Sequence, residues 1–127
     1  MSKLFDAVSS IPRGVETIRE WLGEGGIPVD PATAQRRANI CLECPKNVPP
    51  NIVTQSVALA IRRHLEVKNK LGMRVDGEKR LGKCDVCQCM LRLKIHVPIG
   101  IVRRQMPPGE FDAYPAPCWQ TEEKENA

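Results

Sequence analysis

The chain reads as a small α+β domain: a mostly helical N-terminal part, then a cysteine-rich knuckle module with a short β-hairpin. Three observations carry this. Six cysteines fall as Cys41-x-x-Cys44, Cys84-x-x-Cys87-x-Cys89 and Cys118. Apolar residues recur every three or four positions over 3–22 and 52–71, and every second position over 90–97. Eleven prolines, nine glycines and an aromatic content of 4% leave little to bury, so a chain of 127 residues gains from a cross-link or a metal.

The first periodic segment, 3–22, carries Leu4, Val8, Ile11, Val15, Ile18 and Leu22 on one stripe. Pro12 and Gly14 divide it into two short helices or one kinked helix, with Ser10 as a cap for the second. The stripe suits core packing, and its spacing also suits docking on a partner helix. Gly23, Gly25, Gly26 and Pro28 end the segment; no Lys-Ser or Lys-Thr follows, so they do not form a phosphate-binding loop. Asp30-Pro31 has the form of an N-cap and first helical residue for a helix over about 31–40, which runs into Cys41.

Pro49 and Pro50 close the turn after the first cysteine pair, and Asn51 caps a longer helix over about 52–71. Val53, Val57, Ile61 and Leu65 make its apolar side, and Gly72 its stop. Residues 72–83 are polar and turn-rich. Met90, Leu91, Leu93, Ile95 and Val97, alternating with Arg92, Lys94 and His96, predict a strand closed by Pro98 and Gly100, with Ile101 and Val102 as a second short strand. The domain spans 1–119: an N-terminal docking segment over 1–28, and a knuckle module over 31–119 with the 52–71 helix inserted. Residues 120–127 read as a disordered acidic tail.

The chemistry lies in the cysteines. A Cys-x-x-Cys hook holds two sulfurs toward one point, and two hooks supply the four corners of a tetrahedron, the arrangement Zn²⁺ takes. Cys41, Cys44, Cys84 and Cys87 are the first ligand set, with Cys89 and Cys118 as second-tier ligands. One zinc is the leading reading; two zincs sharing sulfurs, an iron–sulfur cluster and a disulfide framework are the alternatives. His96 is a minor ligand candidate, and His64 reads as structural. A closed four-thiolate site has no open position, so it is structural rather than catalytic. Paired carboxylates, a nucleophile with its base and a thioredoxin-like context are not recognisable, so the chain does not read as an enzyme.

Charge divides the chain. Residues 61–104 hold twelve basic and four acidic groups, while 105–127 hold one Lys and five acids. Arg62, Arg63, Arg103 and Arg104 are the candidates for phosphate contacts if the protein binds nucleic acid. No aromatic residue lies in 61–104 to stack on bases. No run reaches the ~18–20 apolar residues a membrane helix needs, and the first residues have no signal-peptide h-region, which predicts a cytosolic setting.

Four pieces carry a resemblance: WLGEGGIPVD with RRANICLECPKN, then LGKCDVCQCMLRLKIHVP, then PAPCWQ. The chain resembles small cysteine-rich zinc-binding proteins of bacteriophages and prophages over residues 21–119. Those proteins have a first hook followed by Pro and Asn, as in Cys44-Pro45-Lys46-Asn47. A second hook extends to a third Cys, then Leu and Lys, and a Cys stands shortly before a Trp. Gln88 stands where Gly is usual. The resemblance implies a zinc-binding fold of phage origin, in the virion or host cytoplasm, with Cys89 and Cys118 close to the metal. It implies no settled activity. A structural or interaction protein of a phage assembly, docking through its N-terminal stripe, is the first expectation; a nucleic-acid-binding regulator is the second.

Overall fold

The computed structural model describes residues 15–49, 52–86, 89–104, 106, 113–115 and 118–123, with Val15, Val53 and Thr54 described by their backbone alone. In order these form α1 (Val15–Gly23), α2 (Pro31–Leu42), β1 (Asn47–Val48), α3 (Ile52–Asn69), a 3₁₀ turn (Glu78–Arg80) and β2 (Lys83–Cys84). Then come α4 (Leu91–Lys94), α5 (Ile99–Arg104) and α6 (Trp119–Glu122). The architecture is mostly helical with one two-stranded antiparallel sheet, which agrees with the α+β expectation. Among the described residues no helix is long and apolar enough to cross a membrane.

On α1, Ile18, Trp21 and Leu22 are buried in the same core as Leu65, Leu93 and Trp119. Ile18 and Leu22 of the apolar stripe therefore fill this chain's own interior and are not available for docking. Leu4, Val8, Ile11 and the Ser10 cap lie outside the described residues. The α1 exit needs glycine at Gly26: its φ is +63°, and a Cβ there would stand 2.6 Å from Leu65 Cδ2. The turn is tied down by the Trp21 indole N–H donating to the Ile27 carbonyl at 2.9 Å and by Asn69 Nδ2 donating to the Gly26 carbonyl at 3.1 Å.

The helix α2 begins as its sequence predicts. Asp30 accepts from the Thr33 amide at 3.0 Å and its hydroxyl at 2.6 Å, and Pro31 opens the first turn. These hydrogen bonds, the hydroxyl's first, hold the Asp30 carboxyl below the usual range. Its buried face is Ala34, Arg37, Ala38 and Cys41, so the three- and four-residue steps that place alanines inside also carry an arginine and a cysteine there.

On α3, Ile61 and Leu65 are buried and Val57 half-buried, as its pattern predicts. It ends at Asn69, and Lys70 takes the left-handed position (φ 52°) expected of Gly72.

The 90–97 region differs from its expectation. It is no strand: Met90 makes a single bridge to Lys83, Leu91–Lys94 is one helical turn, and 95–97 continue as turns. The Lys94 and Ile95 amides donate to the Met90 and Leu91 carbonyls at 2.9 and 3.2 Å. Period two marks a strand only where one face meets water. Here Leu91, Leu93, Lys94, Ile95, His96 and Val97 are all buried, so the alternating charges do not mark an outer face. Ile101 and Val102 likewise lie on a helix, α5, begun by their amides donating to the Pro98 carbonyl. The sheet joins the two cysteine hooks instead: Asn47 pairs with Cys84 and Val48 with Lys83.

The tail also differs. Residues 120–123 are ordered rather than disordered: Gln120 is buried and Glu123 is ion-paired to Arg37 and Arg36. The acidic run reads as solvated because its partners lie far away in the chain. Residues 124–127 lie outside the described residues.

Candidate metal centre

The two hooks meet through their backbones. The Asp85 amide of the second donates to the Lys46 carbonyl of the first at 2.8 Å, and within the second the Cys84 amide donates to the Cys89 carbonyl at 3.0 Å. Asn47 braces the junction, its Oδ1 accepting from the Gly82 amide at 2.9 Å and its Nδ2 donating to the Arg80 carbonyl at 3.0 Å. In the first hook the Cys44 amide donates to the Cys41 carbonyl at 3.1 Å, at the end of α2.

Cys41, Cys44, Cys84 and Cys118 line one cavity of about 10 Å³ between these elements, with Tyr114 and Gln120. That is room for about one water-sized occupant. Two N–H groups point at sulfur: the Lys46 amide stands 3.4 Å from Cys44 Sγ and the Trp119 indole nitrogen 3.2 Å from Cys41 Sγ. Such donors stabilise thiolate over thiol. Burial works the other way and pushes the Cys41 thiol up to about 12, with Cys118 and Cys44 adding to the rise and Trp119 and Lys94 opposing it. Burial also raises Cys118. A cation at the centre inverts this balance and deprotonates its ligands.

The donor set has the right chemistry for Zn²⁺. Cys41, Cys44, Cys84, Cys89 and Cys118 form no disulfide. Among the described residues, however, no three or more His, Cys, Asp or Glu side chains are arranged as they stand to hold a metal ion. Cys87 lies outside the described residues. Cys118, second-tier from its spacing, shares the cavity with the first hook and Cys84; Cys89 is buried but does not line it.

His96 is buried rather than partly exposed, at 3% exposure, and does not line the cavity. Burial first, then the positive charges of Arg62 and Arg37, lower its imidazole to about 4, against a hydrogen bond to the Met73 backbone and the charge of Glu66. Its folded value lies below its unfolded one, near 6.5. Its contribution is therefore complete above about pH 6.5 and is lost as pH falls through about 4, at most about 3 kcal/mol. Thermal midpoints of wild type and His96→Gln measured from pH 7 to 4 should converge toward acid; parallel profiles would contradict this. Acid release of any metal the cysteines hold would be common to both and cancel. His64 is half-buried on α3.

The four arginines offered for phosphate are largely used within the fold. Arg62 is 8% exposed and bonded to Glu78. Arg103 donates to the Gln120 and Glu123 carbonyls, and Arg104 pairs with Glu20 and Glu24. Arg63 is exposed. Sequence reasoning missed Trp119, whose indole reaches Cys41, and Arg37, which lies over the Trp119 ring. The adjacency of Trp119 to Cys118 was the only signal for either of them. No protein-family model, no curated protein and no solved structure matches the chain.

Proposed function

We propose that this chain is a zinc-binding structural and interaction protein, with a closed thiolate site that stabilises the fold. The carrying observation is the convergence of Cys41, Cys44, Cys84 and Cys118 on one small cavity with two N–H donors aimed at sulfur. Cys118 is the fourth ligand in this reading and replaces Cys87 of the two-hook set. A closed site leaves the metal no reactive position, so the protein acts through its surface. The internal pairing of Arg62, Arg103 and Arg104 favours a protein partner over nucleic acid. Docking through the apolar stripe then falls to members other than Ile18 and Leu22, with Leu4, Val8 and Ile11 first among them. A phage or prophage assembly is the setting we assign, on the resemblance alone.

Native mass and elemental analysis of the protein purified without added metal test the reading. One zinc per chain is expected, retained in Cys87→Ser and lost in Cys118→Ser. Loss in Cys87→Ser with retention in Cys118→Ser would restore the two-hook ligand set. Iron, or no metal, would overturn the zinc reading.

A further inference from the structure

Two pairs of residues, each four apart in the chain, interlock beside the cavity. On α2, Arg37 and Cys41 share the buried face. At the C-terminal end, Trp119 opens α6 and Glu123 follows it, with the Glu123 amide donating to the Trp119 carbonyl at 3.1 Å. The buried Trp119 ring lies under the Arg37 guanidinium, 4.3 Å from its centroid, and its indole nitrogen stands 3.2 Å from Cys41 Sγ. Glu123 holds the same guanidinium with both carboxylate oxygens, at 2.7 and 2.9 Å, with Arg36 beside it at 3.3 Å. From the other side the Ile95 and Val97 carbonyls accept from Arg37. The indole is therefore held between a fixed cation and a cysteine. A cation over the ring draws electron density from it and makes the N–H a stronger donor. Arg103 grips the same segment through the Gln120 and Glu123 carbonyls, and Cys118 at its start lines the cavity. One end of segment 118–123 meets the cysteines and the other an ion pair.

We propose that Glu123 is a positioning residue of the cysteine centre: through Arg37 and the Trp119 indole it holds the N–H on Cys41, and with it the strap that carries Cys118, in place for a divalent cation. The inference rests on the metal reading above and deepens it. Groups that hydrogen-bond a ligand fix its orientation and share its charge, and their loss weakens the site although they never touch the metal. Here that role passes along a chain of three side chains, from Glu123 to Arg37 to Trp119. The centre's hold on a cation is then set in part by an ion pair that includes no sulfur.

The test compares full-length wild type, Glu123→Ala, Trp119→Phe and the double variant. Each is measured by zinc competition with a chromophoric chelator and by the near-ultraviolet sulfur-to-metal band of its Co²⁺-loaded form. Trp119→Phe removes the N–H and leaves a ring under Arg37. It should weaken zinc binding about tenfold, the lower end of what loss of an outer-shell partner costs. Its band should move to longer wavelength, because sulfur electrons no longer held by the N–H are more easily donated. Glu123→Ala should weaken zinc and move the band in the same direction, by less. The double variant should shift no further than Trp119→Phe alone, since both changes act on one hydrogen bond. A clamp that only stabilises the fold would lower the thermal midpoint and leave the band in place, so an unmoved band in Glu123→Ala or in a folded Trp119→Phe overturns the proposal. Unchanged zinc affinity in Glu123→Ala, or additive shifts in the double variant, also overturn it. If Trp119→Phe does not fold, the band and affinity of Glu123→Ala decide alone. Failure of the wild type to take up either ion overturns the metal reading itself and is told apart because it precedes any substitution.

Discussion

On the zinc reading, removing the metal from the native protein should unfold most of it. Structural zinc sites supply about 10–16 kcal/mol of apparent binding free energy in small domains, while domains of ordinary size have a net stability of only about 5–15 kcal/mol. The loss is therefore comparable to the whole margin. The geometry shows where it falls. The sheet is two residues per strand, Asn47–Val48 against Lys83–Cys84, and each strand is bounded by a cysteine hook. A two-stranded pair of this length has no independent stability. Cys41 on α2, Cys44 just past its end, Cys84 on β2 and Cys118 before α6 line one cavity, so on the zinc reading the metal is what links these segments. Addition of a strong chelator, followed by circular dichroism and by the fluorescence of Trp21 and Trp119, should show loss of helix and exposure of both indoles. Zinc should reverse both. An unchanged cooperative thermal transition after complete metal removal would show that the apolar core alone suffices.

The second large effect is at Arg37. Its guanidinium is 1% exposed and donates to four oxygens: the Ile95 carbonyl at 3.0 Å, the Val97 carbonyl at 2.7 Å, and the two Glu123 carboxylate oxygens at 2.9 and 2.7 Å. It also lies against the Trp119 ring. Arg37→Met keeps the stem but takes the donor from two carbonyls and leaves the half-buried Glu123 carboxylate to the exposed Arg36. Breaking such a pair from one side costs about 3–5 kcal/mol, which corresponds to a fall in thermal midpoint on the order of 10 °C. Glu123→Gln should cost less, because its side chain is 11% exposed and its amide oxygen still accepts one bond. The double variant should be well short of the sum, as expected for groups in one network. Additive losses would show that the two side chains are not coupled. Because Trp119 sits between Arg37 and Cys41, Arg37→Met should also perturb the indole fluorescence of the folded protein.

These two effects share a cause that the sequence shows only in part. The hooks are legible because Cys-x-x-Cys is a local pattern whose chemistry is set by spacing. The start of α2 is legible for the same reason: Asp30, Pro31 and Thr33 act on one another within one turn. The long helix is legible because Ile61 and Leu65 face the core at helical steps. By contrast, the segment 90–97 misleads. Its alternation of apolar and charged residues resembles an exposed strand, and its residues Lys94 and His96 are in fact enclosed. Local periodicity reports which side of an element meets water only if one side does.

Likewise Glu123 reads as part of a disordered acidic tail, and nothing local marks Arg37 as its partner. Their pairing spans 86 residues of chain. Arg62 reads as a phosphate contact because sequence carries no trace of Glu78 beside it.

By itself the sequence determined the local matters: two hooks of metal-binding spacing, a capped helix leading into the first, a long helix between them, and the small size of the core. Tertiary structure alone decided which cysteines line one cavity, that Cys118 joins them, and that Arg37 and Arg62 turn inward. It also decided that α4 and the start of the acidic tail belong to the interior. The physical reason is range. Caps, turns and hooks act over a few residues and leave patterns, whereas charge compensation and burial are set by groups brought together from distant parts of the chain.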